Sequence, residues 1–142
     1  PTLVTGQEVV GALVISKSTG ARALIVASPV MVDGKMVGAI GVSIDAAKLA
    51  AELESAIRFP PDVVVYALDA SGETALHRTS ELIFEFPSAQ GSPTLSHAVD
   101  TMLSSTEGVV HYEYRGIART AVFSRSSLTG WVFVLGVADD AR

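Results

Sequence analysis

Two phenols, a guanidinium and a phenyl ring recur at strand spacing between Tyr112 and Phe123. If Arg115-Gly116 is a two-residue turn, Tyr114 faces Ile117, Tyr112 faces Arg119 and Val110 faces Ala121. Side chains alternate across a strand, so Val110, Tyr112, Tyr114, Ile117, Arg119, Ala121 and Phe123 then share one face. Such a face can cradle a small carboxylate. The guanidinium donates to the carboxylate as a two-toothed fork, and the rings cover an apolar body. The same residues also suit a structural role, with Tyr112 and Arg119 as an exposed cross-strand stacking pair worth about 0.5–1 kcal/mol.

A second pair lies upstream. An Asp69–Gly72 turn sets Leu68 opposite Glu73, Tyr66 opposite Ala75 and Val64 opposite His77. Tyr66 and His77 then share a face while Arg78 points away, unless a bulge intervenes. An ordinary imidazole titrates near 6.5, so His77 suits a pH-dependent hydrogen bond as well as a structural one. Trp131 opens a strand and reads as a core anchor. The candidate ligand-binding set is therefore Tyr66, His77, Tyr112, Tyr114, Arg119 and Phe123.

Catalysis has no such support. No Gly-x-Ser-x-Gly elbow occurs. His77, His97 and His111 fall on separate segments without zinc-binding spacing. Gly38-Ala39-Ile40-Gly41 lies inside a strand pattern and is followed by no Lys-Ser/Thr pair, so it is not a phosphate loop. The reading is a binding module rather than an enzyme, with no metal and no cofactor.

Composition narrows the partner. The 142 residues carry 10 Lys plus Arg against 15 Asp plus Glu, a net charge of −5, and 49% are apolar. Disorder is excluded by that apolar content, and the acidic balance without a basic cluster excludes a nucleic-acid partner. With 0 cysteines, no disulfide scaffold or thiolate metal site is available. The strongest apolar run, Val63–Leu68, is far short of the roughly 20 residues that span a bilayer. Opening on Pro1 and not on Met, the chain reads as a processed or excised piece of a longer one.

The elements that position these residues are mostly strands. Val9–Ile15, Arg22–Val32 and Met36–Ile44 read as strands, the last two joined through Asp33-Gly34-Lys35. Pro29 belongs at an edge or a bulge, because it has no N–H to give a ladder. Leu49, Leu53 and Ile57 then form a helical stripe behind an Asp45 cap, with Lys48–Glu52 and Glu54–Arg58 as solvent-side pairs, and Pro60-Pro61 ends the helix. Val63–Leu68 and Glu73–Arg78 follow as a hairpin, and residues 79–91 as a loop. Ser92-Pro93 opens a second helix that Gly108 stops. Val109–Tyr114, Ile117–Arg125 and Trp131–Val137 close the chain as strands.

The second block thus has the order β-β-loop-helix-β-β-β, that of PAS-like sensor domains. The first resembles its tail: Ala21–Val26 is similar to Ala118–Phe123, and Gly34, Gly41-Val42 and Asp45 correspond to Gly130, Gly136-Val137 and Asp139. The expected fold class is α+β. A five-stranded PAS-like antiparallel sheet with helices follows a three-stranded partial lobe whose first half lies upstream.

These residues resemble the double Cache extracytoplasmic sensor domains of bacterial chemoreceptors and histidine kinases. Ser28-Pro29-Val30 through Asp33-Gly34-Lys35-Met36-Val37-Gly38 is similar to the end of that family's membrane-distal lobe. Tyr66–Gly72 with His77 is similar to the opening hairpin of its membrane-proximal lobe. Gly108, Tyr112, Tyr114, Gly116, Arg119 and Leu128–Val132 are similar to the rest of that lobe. The match spans residues 21–137. The long helix that precedes the distal lobe in this family, and its amino-acid-binding motif, have no counterpart here.

The resemblance implies residues 1–59 as the C-terminal part of a distal lobe plus connecting helix, and 60–142 as the proximal lobe. It also implies a small-molecule sensor exposed to the periplasm or cell exterior, within a membrane-anchored receptor. The alternative is a cytosolic PAS-type regulatory or dimerisation domain without enzymatic activity. An unpaired strand edge in residues 1–44 would favour pairing with a second chain, a homodimer included.

Overall fold

A computed structural model describes residues 6–139. They divide into two compact units, up to Ala46 and from Ala47 onward.

The first unit is an antiparallel meander of β1 (Val9–Ile15), β2 (Arg22–Val32) and β3 (Lys35–Asp45). Asp33 and Gly34, both at positive φ (48° and 73°), make the two-residue reversal between β2 and β3. Among the described residues the β1–β2 ladder ends at Val9 opposite Ala27, so Pro29 lies beyond it. It also adjoins the bulge between Val30 and Met31, which accounts for a proline in a central strand. One cross-strand row of this sheet, Val10–Val26–Val42, continues to Ile40, and all four side chains are exposed.

The second unit contains α1 (Ala46–Ile57) apart from its first residue, β4 (Val63–Leu68), β5 (Thr74–His77), α2 (Pro93–Ser104), β6 (Glu107–Tyr114), β7 (Ile117–Arg125) and β8 (Val132–Ala138). Its sheet runs β5-β4-β8-β7-β6, antiparallel throughout. The α+β class and the five-stranded sheet are as the sequence predicts. Between β5 and α2 the chain makes two single 3-10 turns, Ser80–Leu82 and Pro87–Ala89.

One sheet face carries the core. Tyr66 and Leu68 of β4, Val132 and Val134 of β8, Ala121 and Phe123 of β7 and Val110 and Tyr112 of β6 pack with Leu95, Ala98, Val99 and Met102 of α2. Burying a Leu, Val or Met side chain completely contributes about 1.5–3 kcal/mol, which holds α2 on the sheet. Ser92 caps α2 by accepting from the Leu95 N–H at 3.3 Å. Its hydroxyl also donates to the Glu113 carbonyl at 2.6 Å, and Thr94 Oγ1 accepts from the Glu113 N–H at 2.9 Å. The start of α2 is thereby pinned to β6 beside Tyr114.

Three expectations need correction. Gly108 does not stop α2, which ends at Ser104; it pairs with Phe123 inside β6, and the Phe123 ring lies 3.0 Å from where a Cβ on Gly108 would stand. The β4–β5 register places His77, not Ala75, opposite Tyr66, because Ala75 is an extra residue between Leu68↔Thr74 and Ala67↔Leu76. The Thr74 N–H turns away to the Glu85 carbonyl at 2.9 Å, which breaks the ladder there. Glu54 pairs with Arg78 and not with Arg58. Arg58 has a left-handed φ of 55° just past α1: its N–H still reaches the Glu54 carbonyl at 3.0 Å, but its side chain no longer leaves the chain along the helical face that Glu54 occupies.

The turns show a repetition of their own. Ser16–Ala21 and Ser126–Trp131 share the pattern Ser-x-x-Thr-Gly-x, closing β1–β2 and β7–β8. In each, the Gly N–H donates to the Ser carbonyl (2.8 and 2.9 Å) and the Thr N–H to the Ser hydroxyl (3.3 Å in both).

Candidate ligand-binding cleft

α2 covers only one end of the core-bearing face. Toward the β6–β7 turn the face is open, and there a cleft of about 430 Å³ forms. Its floor is the sheet, one wall is the segment from Thr79 to Gln90, and Leu95 of α2 closes a side. That volume falls within the range of small-molecule pockets.

The floor contains a hydrogen-bonded phenol pair. The Tyr66 and Tyr112 hydroxyls are 3.2 Å apart, although β8 and β7 lie between their strands. The two rings meet over Gly136 and Ala121, where the sheet has little or no side chain: the Tyr112 hydroxyl is 3.1 Å from the position of a Gly136 Cβ. Both tyrosines are buried, so Tyr112 and Arg119 are not the exposed stacking pair that the sequence also allows. Burial pushes both phenols above their ordinary range, strongly for Tyr66, while the Arg119 charge pulls each the other way. They remain neutral hydrogen-bond donors under ordinary conditions.

Arg119 sits directly opposite Tyr112, as the two-residue Arg115-Gly116 turn requires. Its Nε is buried without a hydrogen-bond partner, and among the described residues the guanidinium makes no salt bridge. An N–H held away from water without an acceptor is costly, and an anion brought beside it would recover that cost.

His77 stands across the β4–β5 pair from Tyr66, with ring centroids 6.4 Å apart. Its Nδ1 accepts the Thr79 N–H at 2.9 Å, which leaves the proton of the neutral ring on Nε2. Burial, then the Arg78 charge, lowers its pKa below 6.5, against an opposing pull from Glu54. Tyr114 lines the mouth and its ring carries the Arg115 guanidinium 5.1 Å from the centroid, a cation–π contact.

Five of the six candidate residues therefore line one cleft: Tyr66, His77, Tyr112, Tyr114 and Arg119. Phe123 does not. It shares the face of Arg119 but lies four residues along β7, about 13 Å at strand rise, under α2 in the core. Trp131 is also buried, its ring 6.4 Å from Phe133. Sequence reasoning missed Arg78, Glu81, Glu85 and Arg115, which add charge to the walls. The charged residues of 79–91 were visible as such, but no periodicity announced which way that segment folds. Among the described residues, no three His, Asp or Glu side chains gather as a metal-holding group. Nor is any described helix long and apolar enough to cross a membrane.

No family model and no curated protein matches this sequence. Solved structures do match its fold. The ligand-binding domain of the Pseudomonas aeruginosa amino acid chemoreceptor PctB, in complex with L-Arg, superposes with a TM-score of 0.77 at 18% identity, covering 98% of this chain and 57% of that one. That of the Pseudomonas fluorescens chemoreceptor CtaA, in complex with L-serine, gives 0.70 at 16% identity, covering 96% and 57%. A histidine-kinase extracellular domain, mmHK1S-Z2, gives 0.70 at 18%, covering 98% and 53%. The chain spans little more than half the length of these structures. It has the fold of the Cache-type ligand-binding domains of chemoreceptors and of histidine-kinase extracellular regions.

Proposed function

We propose that this chain is an extracytoplasmic small-molecule-sensing domain of a bacterial transmembrane signalling receptor, and that the cleft of its second unit takes a small organic carboxylate. One observation carries the ligand class: the buried, partnerless Nε of Arg119 beside the Tyr66–Tyr112 hydroxyl pair. The guanidinium supplies charge-assisted bonds to the carboxylate, and a phenol proton not used within the pair supplies one more. Leu95, Leu82 and Val64 offer apolar surface for the ligand body.

The fold of the solved neighbours supports a sensing role, and their amino acid ligands make amino acids the first carboxylates to try. The carboxylates of Glu81 and Glu85 on the opposite wall suit a ligand that also bears an ammonium group. On this reading residues 1–59 are the C-terminal part of a membrane-distal lobe plus a connecting helix, and residues 60–142 are the membrane-proximal lobe of a protein in the bacterial inner membrane. The assignment is to binding, not to turnover.

Signalling requires the ligand to bind two conformations unequally. β8 pairs with both β4 and β7, so any shift of Tyr66 against Arg119 passes straight into it. A thermal-shift screen against L-amino acids and simple carboxylates tests the proposal. A true ligand at 100-fold its Kd adds about 2.7 kcal/mol. Absence of stabilisation by every compound would remove its basis.

A further inference from the structure

The cleft contains a second cation that is not free. Arg78 lines the cleft, is 43% exposed through its side chain, and its Nη1 lies 3.6 Å from Oε2 of Glu54 on α1. That separation is an ion pair without a hydrogen bond. Glu54 is 18% exposed, and its Oε1 is buried with no hydrogen-bond partner. Each member of the pair is therefore under-satisfied: the carboxylate lacks donors, and the guanidinium has donor capacity left toward the cleft.

We propose that Arg78 is a second anion-binding residue of the cleft, shared between Glu54 and the ligand, and that Glu54 sets how firmly the ligand can hold it. This rests on the carboxylate reading of the same cleft. With Arg119 on the sheet floor and Arg78 at the end of β5, the site favours a ligand with two anionic groups over one with a single group. Drawing Arg78 toward the ligand weakens its hold on Glu54 and hence on the last turn of α1, where the Arg58 N–H donates to the Glu54 carbonyl at 3.0 Å. Occupancy of the cleft is thus relayed to α1.

The test uses succinate as the dianion and acetate as the monoanion, titrated calorimetrically into the wild type, Arg78→Gln, Glu54→Gln and Arg119→Gln. The expected pattern is that Arg78→Gln weakens succinate at least five-fold and acetate less than two-fold. Glu54→Gln should tighten succinate two- to ten-fold, and the double variant should lose that gain. Hydrogen exchange at the Arg58 amide should speed up when succinate binds to the wild type. If Glu54→Gln does not fold, the Arg78→Gln comparison and the exchange measurement decide. Succinate binding that Arg119→Gln abolishes and Arg78→Gln leaves unchanged overturns the sharing while leaving the cleft intact. No saturable binding of either probe to the wild type overturns both.

Discussion

The Tyr112 hydroxyl lies 3.1 Å from the point where a Cβ on Gly136 would stand. Gly136 belongs to β8, the central strand of the sheet, and its missing side chain lets Tyr112 and Tyr66 join hydroxyls across two intervening strands. Glycine here serves close approach, not backbone freedom. The contact forces a displacement of a few tenths of an ångström on any larger residue.

Gly136→Ala should therefore destabilise the domain by about 1–3 kcal/mol, the usual cost of overpacking, and separate the phenol pair. Chemical denaturation measures the first effect. Anion affinity should fall with it, since the displaced hydroxyl faces the cleft. Unchanged stability and affinity would mean that the pair is not held by this contact.

Tyrosine titration examines the phenols directly. Burial raises Tyr66 and Tyr112 above the ordinary value near 10, so both should ionise late when absorbance near 295 nm is followed in the folded protein. A raised folded pKa gives stability that is complete below about 10 and is lost as pH rises toward the folded value. Tyr112→Phe should cost about 0.5–1.5 kcal/mol and remove the delay from one group.

His77 gives a pH dependence of the opposite sign. Its folded pKa lies below 6.5, so the unfolded chain takes up a proton first as pH falls. Stability from this group is complete above about 6.5 and drains away as pH drops toward the folded value. His77→Asn keeps an acceptor for the Thr79 N–H but cannot titrate. Its denaturation free energy should change less between pH 7 and pH 5 than that of the wild type, and an equal slope would exclude His77 as the source.

Arg125 illustrates a structural role that no motif announced. Its guanidinium donates to the Leu103 carbonyl at 2.6 Å, to Met102 at 3.3 Å and to Gly130 at 3.1 Å, capping the C-terminus of α2 from β7. Charge-assisted bonds of this kind are worth about 1.5–3 kcal/mol together with the packing they fix. Arg125→Gln should lower the melting temperature by that much stability without changing ligand affinity, because Arg125 is outside the cleft.

Much of this was legible in the residues. The Arg115-Gly116 turn fixes Tyr112 against Arg119 in the observed register, since a two-residue reversal allows little else. Ser92 reads as a cap and is one. The β4–β5 register was not legible, because the bulge at Ala75 depends on Thr74 bonding to Glu85, a contact set by how residues 79–86 fold back. Arg78 entered the cleft through that same fold-back, while period-2 alternation turned it away. Phe123 shows the converse limit: alternation fixes the face but not how far along it α2 extends. Glu54–Arg78 joins α1 to the residue just past β5, and no local spacing encodes such a pair.

Arg119 is the test of the whole account. Calorimetric titration of the best carboxylate found by screening should give saturable one-site binding to the wild type. With Arg119→Gln the affinity should drop at least ten-fold while the melting temperature holds or rises, since a buried N–H without an acceptor is removed. Equal affinity in the two proteins would contradict the assignment of this cleft as a carboxylate site.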